Sequence, residues 1–151
     1  MSQPDVTADD AVVVIERIAA PPEVVFDFLV DPAKMLRWMG TSVNIDPRPG
    51  GRFWLDATET GTDIASGRYL SVEPPTKVVF TWGWENNPEV PPGSTTVTIT
   101  LTPDGDDTVV ELRHEGLPGD AGESHNEGWT FYVGRLVLVA AGQDPGPVQP
   151  R

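Results

Sequence analysis

The longest periodic run of hydrophobic residues lies near the C-terminal end of the chain, between positions 123 and 141. Two pairs of residues at its start have the spacing of a capping box. The first pair is Asp120 with Glu123. The second is Ser124 with Glu127, and the helix is expected to begin between the two pairs. The apolar positions recur every three or four residues and predict one long helix, whose stripe consists of Trp129, Tyr132, Val133, Leu136, Val137 and Ala140.

Upstream of this helix, the pattern is that of short strands separated by turn residues. The alternation is cleanest at 94–102, where Val97, Ile99 and Leu101 share one face and threonines occupy the other. The Asp104-Gly105 step predicts a hairpin turn after it. Seven segments are predicted as strands: 11–19, 42–46, 52–57, 64–72, 77–84, 94–102 and 108–115.

Two short helices are predicted between the first and second strands. Pro21 and Pro22 suit a first helical turn, where the N–H groups have no partner within the helix. Asp31 can cap a second helix, with Pro32 at its first position. The resulting order predicts an α+β helix-grip fold, in which a seven-stranded curved antiparallel sheet surrounds a long C-terminal helix. The two short helices close one end, and the arrangement is expected to enclose a cavity.

Composition and charge narrow the classes of protein that fit. At 151 residues the chain is expected to form one domain over 11–142, with a disordered acidic leader at 1–10 and a disordered Pro-rich tail at 143–151. The net charge of −13 argues against nucleic acid and anionic membranes as partners. The absence of cysteine excludes disulfides, thiolate catalysis and Cys-ligated zinc. No apolar leader or membrane span is apparent, so a cytoplasmic protein is expected.

Several short strings of the sequence together carry a family resemblance. They are 20–26 (APPEVVF), 31–32 (DP) with Trp38, 49–53 (PGGRF), 67–75 (GRYLSVEPP), 79–82 (VFTW), 93–95 (GST), 114–117 (HEGL) and 128–129 (GW). As an ordered set they resemble the START-like (SRPBCC) superfamily, whose helix-grip fold includes birch-pollen-allergen-like proteins and polyketide cyclases. Within it they look most like the family related to the C-terminal domain of the heat-shock protein 90 ATPase activator. The eukaryotic activator engages the chaperone through a separate N-terminal domain for which this chain has no room, which argues against a chaperone partner.

Aromatic residues from different elements are candidates for the cavity wall, because pockets for apolar ligands are lined in this way. The alternative is that they simply fill the core. The strand at 77–84 adds Trp84 to this set, and Phe53 is an alternative to Trp54. The predicted ligand-binding residues are Trp38, Trp54, Arg68, Tyr69, Trp82, His114, Trp129 and Val133.

Fewer polar residues than aromatic ones are candidates for contact with a ligand. His114 shares a strand face with Val110 and Leu112, so it can point inward and hydrogen-bond a ligand or act as an acid–base group. The alternative is a histidine at a strand end whose partners are backbone or water. Arg68 can bind a ligand carboxylate, but Tyr69 can be the inward residue of that strand instead. His125 is interpreted as part of the helix cap, and neither a metal site nor a cofactor is expected.

Three functions remain open. The first is a protein that binds an apolar or aromatic small molecule between the curved sheet and the C-terminal helix. The second is an enzyme, a cyclase, dehydratase or hydrolase that uses His114 in the cavity. The third is a chaperone-assisting or protein-interaction domain that docks a partner through its acidic surface or the loop at 85–93. Exposed strand edges also allow a homodimer.

Overall fold

A computed structural model describes residues 11–58, 61–119 and 121–146 of the chain. The predicted leader at 1–10 and most of the predicted tail lie outside the described residues. Within these ranges the chain forms seven strands and three helices. In chain order they are β1 (Val12–Ile18), α1 (Pro22–Val30), α2 (Pro32–Met35), β2 (Ser42–Ile45), β3 (Arg52–Asp56), β4 (Ile64–Glu73), β5 (Lys77–Trp82), β6 (Thr95–Asp104), β7 (Asp107–Glu115) and α3 (Ala121–Ala140).

The strands form one antiparallel sheet in the order β1-β7-β6-β5-β4-β3-β2, and α3 packs on its inner face. This confirms the predicted α+β helix-grip fold. Alternation sets the faces: Val97, Ile99 and Leu101 of β6 are buried, whereas the intervening threonines lie on the outer face. No helix among the described residues is long and apolar enough to cross a membrane.

The short helices begin where proline and aspartate predict. Pro22 opens α1, and the carboxylate of Asp31 accepts a hydrogen bond from the backbone N–H of Ala33 at 2.9 Å at the start of α2. The indole Nε1 of Trp38 donates to the carbonyl oxygen of Phe28 at 2.8 Å. This bond fastens the segment after α2 to α1.

Two predicted strand ends differ from those of the structure by two residues, and the other strand boundaries agree to within one residue. The strand predicted at 77–84 ends at Trp82, and at Gly83 the backbone passes so close to Pro91 that a Cβ atom would collide with the carbonyl oxygen of that residue. Trp84 instead forms an isolated bridge with Ala65 of β4. The strand predicted at 94–102 continues to Asp104, because the tight hairpin pairs Asp104 with Asp107.

Helix α3 begins at Ala121, between the two predicted cap positions 120 and 124, and its buried face differs from the predicted stripe at four positions. Tyr132 and Val137 are half-buried, whereas Val139 and Arg135 are buried. Arg135 is 5% exposed, and its guanidinium donates to the carbonyl oxygens of Arg37 at 2.9 Å and Pro145 at 3.1 Å. It therefore joins α3 to the segment after α2 and to residues beyond the helix.

Candidate functional site

A cleft of about 890 Å³ opens beside the first half of α3. Its other sides are the segment between β3 and β4 and the segment that follows β5. Polar lining residues come from all three sides, and Gly128 contributes a stretch of bare helix backbone. The aromatic part of the wall consists of Trp82, Trp84, Trp129, Phe131 and Tyr132.

The backbone around Gly83 brings two of these tryptophans together. Strand β5 ends at Trp82. At Gly83 the backbone lies against that of Pro91, so the loop at 85–93 packs back on the end of the strand. The N–H of Trp84 then donates to the carbonyl oxygen of Val90 at 2.7 Å. As a result the rings of Trp82 and Trp84 meet edge to face with centroids 5.3 Å apart, and Trp129 of α3 lies 5.0 Å from Trp82.

The hydrogen bonds of His114 fix its tautomer. Thr95 Oγ1 donates its hydrogen to the carbonyl oxygen of Trp82 at 2.7 Å, so the imidazole Nε2, 2.8 Å from the same hydroxyl, must be the donor. The other ring nitrogen, Nδ1, accepts from Trp129 Nε1 at 2.9 Å. Burial, with a smaller contribution from His125, lowers the pKa of His114 to about 3. The histidine is therefore neutral, with both nitrogens occupied.

A second tryptophan–histidine pair lies beside the first. Trp84 Nε1 donates to His125 Nε2 at 2.9 Å, and His125 Nδ1 lies 2.8 Å from the carbonyl oxygen of Ala121 one turn earlier. Because Nε2 accepts, Nδ1 carries the hydrogen and donates to that carbonyl. Burial lowers the pKa of His125. The ring centroids of His114 and His125 are 5.3 Å apart, and the two ring planes are nearly perpendicular.

Among the described residues, the charged side chains that line the cleft are both acidic, Asp63 and Glu127. Asp63 accepts a hydrogen bond from Thr58 Oγ1 at 3.0 Å. Trp82 is 2% exposed, and its indole Nε1 has no hydrogen-bond partner in the part of the chain that the structure describes. Within the same ranges, no group of three or more histidine and carboxylate side chains is arranged to hold a metal ion.

Two of the residues predicted to bind a ligand, Trp82 and Trp129, line the cleft. Three others, Trp38, Val133 and His114, are buried in the interior away from its lining. Trp38 is 0% exposed and its indole N–H is already bonded to Phe28, so it has the role of a core residue.

The alternative between Arg68 and Tyr69 is settled by the register of β4. Tyr69 is buried against the rings of Phe53 and Phe80, and its ring centroid is 5.9 Å from each of theirs. Burial raises the pKa of Tyr69. Arg68 is exposed on the outer face, where its guanidinium donates to the carbonyl oxygen of Gly50 at 3.1 Å. Trp54 lies half-buried on that outer face, because its neighbours Phe53 and Leu55 take the inner positions.

Apart from Trp129, sequence reasoning missed the cleft residues contributed by α3, including Phe131, and placed Tyr132 only in the core-facing stripe. It interpreted His125 as a capping residue and Glu127 as part of a capping box. A signal was present: Ser124, Gly128 and Phe131 recur at intervals of four and three residues, which is a second helical face beside the apolar stripe. That face lines the cleft.

Solved structures similar to this chain come from several bacteria. An AHSA1-like protein from Rhizobium etli is 42% identical, with 93% of this chain and 90% of that chain covered and a TM-score of 0.67. CalU16 from Micromonospora echinospora is 29% identical, with coverages of 91% and 77% and a TM-score of 0.73. DynU16, from the dynemicin biosynthetic locus, is 26% identical with a TM-score of 0.76. The match covers 91% of this chain but only 49% of DynU16.

Among curated proteins, none matches this chain. The family model that matches is described as activator of Hsp90 ATPase homolog 1-like protein, and it covers residues 19–141. This is most of the chain, and it includes six of the seven strands, the cleft and the long helix. The resemblance seen in the sequence is thus confirmed, and the chain belongs to the activator of Hsp90 ATPase homolog 1-like family.

Proposed function

We propose that this protein binds a small apolar or aromatic molecule in the cleft beside α3. The observation that carries the proposal is the cleft itself, about 890 Å³ with three tryptophans in its wall. Ligand pockets commonly measure roughly 300–1,000 Å³ and combine an aromatic lining with a few polar groups. We assign this function to the single domain predicted over residues 11–142.

The way in which the tryptophans are held supports binding. Trp84 and Trp129 each donate their indole N–H to a histidine, so their side chains are fixed before any ligand arrives. A wall that is already ordered loses little conformational entropy when a ligand binds. Trp84, which is half-buried, offers a ligand aromatic surface rather than a hydrogen bond, whereas Trp129 is 2% exposed.

The contacts of His114 favour binding over the sequence-level alternative of an enzyme that uses this histidine. An acid–base catalyst needs a nitrogen within reach of substrate. Both nitrogens of His114 are occupied by Thr95 and Trp129, and the residue does not line the cleft. One structural neighbour, DynU16, comes from a biosynthetic locus, which is in keeping with a small-molecule ligand.

The test uses two glycines of α3 as a matched pair. A Cβ atom at Gly128 or Gly134 would meet nothing within 4 Å, and only Gly128 lines the cleft. Leucine at either position gains helix propensity, but only Gly128→Leu is expected to fill the cleft. Aromatic compounds are screened by thermal shift, and at one hundred times its Kd a ligand stabilises by about 2.7 kcal/mol. That raises the Tm by roughly 5–10 °C for a domain of this size.

The expected result is a ligand whose shift is lost in Gly128→Leu and kept in Gly134→Leu. A ligand that binds Gly128→Leu as tightly as the natural protein would contradict the proposed site.

A further inference from the structure

We infer that the cleft selects ligands that carry a positive charge beside an aromatic body, such as a protonated amine or a quaternary ammonium group. This inference rests on the proposed function and assigns the chemical class of its ligand. Two features of the wall lead to it, the sign of its charges and the kind of surface that surrounds them. Each is independent of the size of the cleft.

The charges of the wall are negative on two sides. Glu127 lies on α3, and Asp63 lies across from it in the segment before β4. Neither carboxylate forms an ion pair with any residue in the described ranges. Asp63 is close enough to the aromatic wall to act on it: burial raises the pKa of Tyr132, the charge of Arg135 lowers it, and the charge of Asp63 raises it. An anionic ligand would meet two like charges here.

Among the residues that the structure describes, no positively charged side chain on the wall offsets these carboxylates. In the part of the chain that the structure describes, neither lysine nor arginine lines the cleft. His125 does line it, but the residue is neutral because its nitrogens are engaged with Trp84 and Ala121. Arg135 lies 5.9 Å from the centroid of the Phe131 ring, but it is buried and donates to the carbonyl oxygens of Arg37 and Pro145.

The aromatic wall adds a second attraction for cations. The faces of tryptophan and tyrosine rings carry negative charge density, and a cation within about 6 Å of a ring centroid is attracted to it. Trp84 and Tyr132 are half-buried and present such rings to the cleft that Asp63 and Glu127 also line. Trp82 and Trp129 are also in the wall, and each is 2% exposed. Aromatic rings combined with carboxylates are a setting that suits an ammonium group better than a neutral or an anionic one.

The test compares three probes that share an indole ring: tryptamine as the cation, tryptophol as the neutral analogue and indole-3-propionate as the anion. Kd values are measured by calorimetry at pH 7.5. Exposed carboxylates and cation–π contacts together predict that tryptamine binds about 5- to 30-fold more tightly than tryptophol. Indole-3-propionate is expected to bind most weakly, and raising the salt concentration is expected to narrow the differences.

Glu127→Gln removes one wall charge, and Glu123→Gln is its matched control because it lies one turn away on α3 outside the lining. The preference for tryptamine over tryptophol is expected to fall about 3- to 5-fold in Glu127→Gln, the scale of one exposed pair, and to stay unchanged in Glu123→Gln. Equal binding of tryptamine and tryptophol, lost in Gly128→Leu, would overturn the charge preference and leave the proposed function intact. Failure of all three probes to bind would contradict both.

Discussion

At the scale of single residues, the two histidines of the aromatic cluster carry opposite tautomers because their tryptophan partners approach different nitrogens. Trp129 donates to Nδ1 of His114, whereas Trp84 donates to Nε2 of His125. Protonating either ring would place an N–H against the indole N–H that now donates to it. The cluster therefore depends on both imidazoles staying neutral.

This dependence predicts how stability varies with pH. His114 has a pKa of about 3 in the folded protein and an ordinary value of 6.5 when exposed. Between these values the unfolded chain binds a proton that the folded chain does not, so the free energy of unfolding falls as pH falls below about 6.5. The loss is about 1.4 kcal/mol per pH unit, or about 2 kcal/mol by pH 5.

His114→Gln is the variant that isolates this effect, because glutamine keeps one donor and one acceptor but does not titrate near neutral pH. Urea unfolding is measured from pH 7.5 to pH 5 for both proteins. We expect the pH slope to be smaller in the variant by about one proton. Parallel slopes would show that His114 does not supply this dependence.

At the scale of elements, Arg135 of α3 acts as a clamp between three parts of the chain. Its guanidinium holds the carbonyl oxygens of Arg37 and Pro145, and a lysine ammonium lacks the fork needed to hold both. Hydrogen bonds from charged donors contribute about 1.5–3 kcal/mol each. We expect Arg135→Lys to lower the free energy of unfolding by about 2–3 kcal/mol, measured by chemical denaturation.

A suitable control is Arg17→Lys. Arg17 is exposed and pairs with Asp104 and Asp107 at the β6–β7 hairpin. Exposed ion pairs contribute about 0–1 kcal/mol, so this change should have little effect. Equal losses in the two variants would contradict the clamp.

The faces of the strands could be predicted from the sequence, whereas the cleft could not. Strands such as β6 alternate buried and exposed positions, so their faces follow from Val97, Ile99 and Leu101 without knowledge of the partner strands. The cleft is different, because it depends on where the loop after Trp84 and the segment near Asp63 meet α3. Contacts between segments that are far apart in the chain leave no local periodicity in the sequence.

Trp38 illustrates the remaining ambiguity. A tryptophan can line a pocket or fill a core, and the choice depends on whether its N–H finds a partner inside. For Trp38 that partner is the backbone carbonyl of Phe28, which hydrophobic patterning does not reveal. Arg135 is the converse case, a charged residue that polarity alone would place at the surface.

At the scale of the whole molecule, the chain carries 23 acidic and 10 basic residues, a net charge of −13. A net charge this far from zero destabilises a compact state through self-repulsion. The ion pairs among the described residues involve exposed side chains and offset little of it. Repulsion between like charges is therefore expected to dominate the electrostatic part of the stability.

Stability should accordingly rise with ionic strength, because salt screens exposed charges that lie more than a Debye length apart, about 10 Å at 0.1 M. Between 10 mM and 300 mM NaCl we expect a gain of roughly 1 kcal/mol, the scale of a few screened surface charges, seen as a Tm increase of roughly 2–4 °C. Asp106→Lys, at the exposed tip of the acidic hairpin, should raise the low-salt Tm and flatten the dependence on salt. A Tm that falls with added salt would mean that surface ion pairs outweigh the repulsion.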